Sequence, residues 1–149
     1  MASAGGSVVS ECGPEDAWAA LKSDPDAQLV DVRTRAEWSF VGVPDVSALA
    51  RETLLVEWRM FPNMQPNPQF ADQVFAAAGT KIPSQVYFIC RSGARSMEAA
   101  RAMAAACNER GAAVRCVNVA EGFEGDLDQD RRRGRMNGWK ARGLAWFQS

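Results

Sequence analysis

Histidine is missing from all 149 residues of the chain. That absence removes Cys–His and Ser–His catalysis, imidazole metal ligation and the usual general base at neutral pH. The four cysteines, Cys12, Cys90, Cys107 and Cys116, form no Cys-x-x-Cys pair, which argues against zinc and thioredoxin-type redox sites. A net charge of −1 gives no basic surplus for nucleic acid. No apolar run approaches the roughly 20 residues that span a bilayer. The first basic residue is Lys22, so the positive start of an export signal is missing too. These absences lead to the expectation of a cytoplasmic protein with free thiols, acting without metal or cofactor and apart from membranes and nucleic acid.

What is present is ordinary in bulk. At 47% apolar and 23% charged residues, the chain suits one globular domain, expected over residues 8–149. Residues 1–7 are small and Gly/Ser-rich and are expected to fray. Glu11 to Ser23 reads as an opening helix, with Pro14 in its first turn and Glu15 and Asp16 at its positive end. Gln28 to Val32 reads as a short strand. Thr34 and Glu37 then stand at capping-box spacing for a brief helix to Phe40. Gly42-Val43-Pro44 marks a turn, and Val46 to Leu49 reads as a strand. The aromatic-rich stretch to Met64 is the least legible, and its Trp58, Met60 and Phe61 are candidates to wall a site mouth.

Asn67 to Ala78 reads as a helix with Asn67 as N-cap, Pro68 at its first position and Gly79 as its stop. Val114 to Val119 gives a further strand. Asn137 to Gly143 suits a last short helix, with Trp139, Leu144, Trp146 and Phe147 pinning the C-terminus. Strands alternating with helices predict a three-layer α/β/α domain around a mainly parallel sheet of about five strands. In such folds the ligand site lies beyond the carboxyl ends of the strands, where Asp31 and Cys90 both fall.

The chain's centre of interest is Gln85 to Ser96. Val86 to Ile89 is a β-rich apolar run suited to a strand buried on both faces. Cys90 follows at its end, then a loop of Arg91, Ser92, Gly93, Ala94 and Arg95, then an alanine-rich helix from Ser96 to about Arg110. A strand–loop–helix unit gathers backbone N–H groups and the positive end of a helix around one point, which suits an anion. A sulfur placed there is expected as thiolate, because the same donors favour its charged form. Cys107, on an apolar helix face, reads as a packing residue and Cys116, in a strand, as inert, and Asp126, Asp128 and Asp130 lack the glycine and closing acid of a calcium loop.

Cys90-Arg91-Ser92-Gly93-Ala94-Arg95-Ser96, with Asp31-Val32-Arg33 and Glu37-Trp38 upstream, resembles the rhodanese domain of sulfurtransferases. The tail Gly122-Phe123-Glu124-Gly125, followed by Gly138-Trp139-Lys140 and Gly143-Leu144, is similar to the close of single-domain members. The resemblance implies a double displacement in which Cys90 takes a sulfane sulfur from a donor such as thiosulfate. It then passes that sulfur, as a persulfide, to cyanide or to a small or protein thiol. The N–H groups of Arg91 to Ser96 would hold the anionic persulfide. Arg91 would steer an anionic donor, and Arg95 would tie the loop to Asp31 or Glu37.

Related phosphatases separate cysteine and arginine by five residues, whereas four separate Cys90 from Arg95, so phosphatase chemistry is the weaker reading. A non-catalytic module that uses this loop edge to bind a protein is the other alternative. Many family members carry Gly-His-Ile-Pro where this chain has Gly42-Val43-Pro44.

Overall fold

The computed structural model describes residues 6–79 and 81–149. The central sheet runs in the order β1-β8-β7-β2-β4, all parallel. Its strands are β1 (Val8–Cys12), β2 (Gln28–Asp31), β4 (Leu54–Leu55), β7 (Gln85–Ile89) and β8 (Arg115–Val119). The helices are α1 (Pro14–Ser23), α2 (Arg35–Val41), α3 (Phe70–Ala78) and α4 (Ala94–Glu109). Two small antiparallel ribbons complete it: β3 (Val43–Pro44) with β9 (Trp146–Phe147), and β5 (Arg59–Met60) with β6 (Gln65–Pro66). This is the expected three-layer α/β/α domain.

Strand alternation divides the core in two. Val30, Val86, Phe88, Cys90 and Cys116 face α3 and α4, meeting Phe70, Val74, Ala99, Ala100 and Met103. Leu29, Tyr87, Ile89, Val117 and Val119 face the other way, meeting Ala17 and Leu21 of α1 together with Phe123 and Trp139. Each fully buried side chain of this size contributes about 1.5–3 kcal/mol by leaving water. Small residues on α4 let that helix lie close over β7 and β8, which fixes where its N-terminus starts.

Several expected elements change on folding. Glu11 and Cys12 belong to β1, and the first helix begins only at Pro14. The strand was hidden because its partner is β8, over 100 residues away, and no local periodicity marks it. Val46 to Leu49 is no strand; Val46 is buried and Ser47–Leu49 make a single 3-10 turn. Asn67 does cap its turn, its Oδ1 accepting the Gln69 N–H, but that turn closes three residues back, Phe70 N–H to Asn67 O, so regular helix α3 starts only at Phe70. Asn137–Gly143 forms turns, while Trp139 is buried and donates through Nε1 to Ala145 O. Gly42-Val43-Pro44 is partly strand, since Val43 and Pro44 pair with β9.

The fraying expected of residues 1–7 falls mostly on residues 1–5, outside the described chain. Ser7 is held: its N–H donates to Asn108 Oδ1 and its hydroxyl to Ala112 O. Among the described residues no helix is long and apolar enough to cross a membrane.

Candidate active site

Strand β7 ends at Ile89, and the next residue, Cys90, is only 1% exposed. Chain reversal into α4 follows within four residues, and Gly93 makes it possible with φ of 112°, a backbone state that costs side-chain-bearing residues about 1–3 kcal/mol. The turn brings two N–H groups onto Cys90 Sγ, from Gly93 at 3.1 Å and from Ser96 at 3.3 Å. The Ser96 hydroxyl also stands 3.2 Å from the sulfur. Helix α4 begins at Ala94, two residues earlier than expected, which places Ser96 in its first turn facing inward. Sulfur, amides and the positive helix end therefore converge on one point.

Of the remaining loop residues, Arg91 is exposed and Ser92 half-buried. Arg95 is committed elsewhere: its Nη1 and Nη2 reach Glu37 Oε1 and Oε2 at 2.8 and 2.9 Å. Glu37 in turn closes the capping box of α2, accepting from the Thr34 N–H at 3.1 Å. Burial acts to raise the Glu37 carboxyl, but Arg95 and Thr34 outweigh it and hold it at about 2. A carboxyl lowered from the usual 4.5 to about 2 contributes stability that is present above pH 4.5 and drains away as pH falls toward 2. Glu37→Gln is therefore expected to lower stability by a pH-independent amount above pH 4.5 and to flatten its fall between pH 4.5 and 2, followed by tryptophan fluorescence.

Asp31 pairs with Arg33 instead of Arg95. Both are fully buried, with Arg33 Nη2 2.6 Å from Asp31 Oδ2 and also donating to Gly42 O. The Arg33 guanidinium lies over the Phe123 ring, 4.4 Å from its centroid. This pair therefore braces the sheet face opposite the sulfur. The hairpin of β5 and β6 stands beside α4, since Trp58 Nε1 and Arg59 Nε both donate to Glu98. Trp58 packs edge-on against Phe70, and Phe61 is 79% exposed. A cleft of about 440 Å³ between Val43, Arg51, Leu55 and Phe147 includes no residue of the Cys90 loop.

Three contributors were not singled out from the sequence as part of the site. Asn118 bonds Ser96 and Glu11 bonds Asn118 from behind, and the signal for them was a lone amide within an apolar strand. The third, Gly122, sits directly behind the loop, where Phe123, Glu124 and Gly125 donate their N–H groups to the carbonyls of Cys90 and Arg91. A Cβ on Gly122 would stand 2.5 Å from the Arg91 carbonyl carbon and 2.6 Å from Cys90 O, with φ already at 70°. Backbone cannot turn aside as a side chain does. Gly122→Ala is expected to cost about 2–5 kcal/mol, read by chemical denaturation, and to loosen the loop.

Comparison with known proteins agrees with this architecture. The chain is 34% identical over 140 residues to an uncharacterized protein of Rickettsia conorii, covering 94% of this chain and 98% of that one. A Rickettsia prowazekii protein is 35% identical over 121 residues, covering 81% and 83% respectively. The crystal structure of Rv0390 from M. tuberculosis superposes with a TM-score of 0.79 at 43% identity, covering 94% of this chain and 98% of that chain. The Rhodanese-like domain family matches residues 13–128, the span from the start of α1 to beyond the Cys90 loop and its glycine support. The chain belongs to the rhodanese-like domain family.

Proposed function

We propose that this protein is a sulfurtransferase that carries a sulfane sulfur as a persulfide on Cys90. The observation that carries this reading is the pair of backbone N–H groups, from Gly93 and Ser96, aimed at the Cys90 sulfur. Such donors stabilise a thiolate, which is the attacking form. With thiosulfate as donor, Sγ bonds to the outer sulfur while the S–S bond of thiosulfate breaks, and its electron pair leaves on sulfite. The outer sulfur of the resulting persulfide carries the negative charge. The first-turn N–H groups of Ala94 and Arg95, which have no carbonyl four residues back inside the helix, are the donors left for it. Attack by cyanide or a thiol on that outer sulfur then breaks the S–S bond and returns the thiolate.

Arg91, exposed at the loop, suits the approach of an anionic donor. Glu37 occupies both Arg95 terminal nitrogens, so this arginine is poorly placed to clamp a phosphate, which favours sulfur transfer over phosphatase chemistry. The partners proposed are a small anionic sulfur donor and a cyanide or thiol acceptor, a protein thiol included, with the cytoplasm as a compartment that keeps the cysteines reduced. Incubation with thiosulfate is expected to add one sulfur atom to the intact mass, removable by a thiol reductant, and addition of cyanide to yield thiocyanate. Folded protein that shows neither, yet retains a bound protein partner after Cys90→Ala, would assign the chain to the non-catalytic branch of the family.

A further inference from the structure

Asn118 is 1% exposed and stands in register between Glu11 of β1 and Phe88 of β7, on the sheet face that carries Cys90. Its Nδ2 donates to Glu11 Oε2 at 2.8 Å, and its Oδ1 accepts from Ser96 Oγ at 2.5 Å. The same Ser96 Oγ lies 3.2 Å from Cys90 Sγ. A hydroxyl has one proton, so it serves the amide or the sulfur but not both. A carboxylate only accepts, so Glu11 can face only the NH2 side of the amide. Turning the amide over would set two acceptor oxygens 2.8 Å apart. Glu11 thereby fixes Oδ1 toward Ser96, where an oxygen–oxygen approach of 2.5 Å requires the hydroxyl to donate to the amide. A serine lone pair, rather than its proton, then faces Cys90.

We propose that Glu11, acting through the Asn118 amide, directs the Ser96 proton away from Cys90 and so sets how readily that sulfur gives up its own proton. The proposal rests on Cys90 being the nucleophile; Glu11 and Asn118 touch neither sulfur nor substrate and are positioning residues. Its consequence for the cycle is one-sided. In the persulfide, Sγ carries no charge and needs no third donor. In the free enzyme, a thiolate denied that donor is more basic and attacks more readily once formed, since nucleophilicity falls as basicity falls. The other charges around the chain are Arg91 and the Arg95–Glu37 pair near the sulfur, with Asp31 beyond them, and Asp16 and Arg115 in the polar cleft beside Glu11. All of these stay constant in the variants below.

The test is the rate of Cys90 alkylation by iodoacetamide against pH, read by peptide mass spectrometry so that the other cysteines do not contribute. Glutamine at position 11 can accept from or donate to the amide, so Glu11→Gln frees Asn118 to turn and Ser96 to donate to sulfur. The pH of half-maximal alkylation is expected to fall by roughly 0.5–1 unit, a three- to tenfold gain in acidity. In a Ser96→Ala background the same substitution is expected to change nothing, because the proton being directed is gone. If Ser96→Ala does not fold, Asn118→Ala serves as the background, since it cuts the chain at its middle.

An equal shift in both backgrounds would make Glu11 a through-space charge and overturn the proposal. So would no shift, or a shift upward, in the otherwise native protein. On protein first cleared of sulfane sulfur by a thiol reductant, alkylation reads Sγ itself, whether or not the protein transfers sulfur. Failed sulfur transfer alongside a background-dependent shift therefore refutes the proposed activity and leaves this chain of hydrogen bonds standing. A Cys90 that never alkylates overturns both.

Discussion

Cys90→Ser is expected to lower thiocyanate formation from thiosulfate and cyanide by about four to six orders of magnitude, the scale seen when a covalent nucleophile is removed. The reason is chemical rather than architectural. A serine oxygen at this point accepts from the same Gly93 and Ser96 N–H groups, so the loop keeps its shape and the melting temperature is expected to stay within a few degrees. What is lost is a polarisable sulfur, a far better nucleophile toward sulfur than a serine oxygen. The persulfide adduct seen by intact mass is expected to vanish with it.

No other cysteine is placed to take over that role. Burial, with Asp16 nearby, pushes the Cys12 thiol up to about 11. The neighbouring Cys107 and burial push the Cys116 thiol up as well, and both of those sulfurs pack in the hydrophobic core between the sheet and α4. An adduct that persists at full yield in Cys90→Ser, followed by its mapping to another residue, would be the result that moves the nucleophile.

How much of this was legible before the fold follows from the range of the interactions. The β7 strand, the loop and the helix after it are local: Val86 to Ile89, Gly93 and the alanines of α4 each act on their own neighbourhood, and the sequence placed them within two residues. The Thr34–Glu37 capping box is equally local and stands as read. What stayed hidden depends on residues distant in the chain. Strand β1 exists because β8 offers it a partner, so Glu11 looked like the start of a helix rather than a residue under Asn118. Gly122 reads from its neighbours as one more turn glycine. Only the closeness of Arg91 shows that it must be one. The choice of Asp31 or Glu37 as partner for Arg95 was open for the same reason. Strand alternation decides it, because Asp31 points to the face away from Cys90 while α2 carries Glu37 to the other.

That division of labour makes Asp31 the residue whose loss should cost the fold most. Asp31→Asn takes the negative charge from an ion pair whose two side chains are both 0% exposed, leaving a charged, buried guanidinium against a neutral amide, Gly42 O and the Phe123 ring. Breaking such a pair costs about 3–5 kcal/mol, and at this chain length that corresponds to a fall in melting temperature of roughly 10 °C or more. Arg33→Met leaves the mirror-image problem, a buried carboxylate still accepting from the Arg33 backbone N–H, and is expected to fall by a similar amount. The double variant Asp31→Leu with Arg33→Met buries no charge and is expected to recover most of the loss, the more so because Arg33 Nη1 has no partner among the described residues.

Because the pair lies behind the sheet, it reaches the sulfur only through backbone: the Phe123 N–H holds the Cys90 carbonyl at 2.8 Å, and the Val32 N–H holds the Ile89 carbonyl at 2.9 Å. Sulfur transfer at a temperature where all three variants are folded is therefore expected to change by less than tenfold. Single substitutions that melt like the native protein would show that water reaches this pair. A double variant that folds well but loses sulfur transfer would show that Arg33 holds the loop in register as well as the sheet.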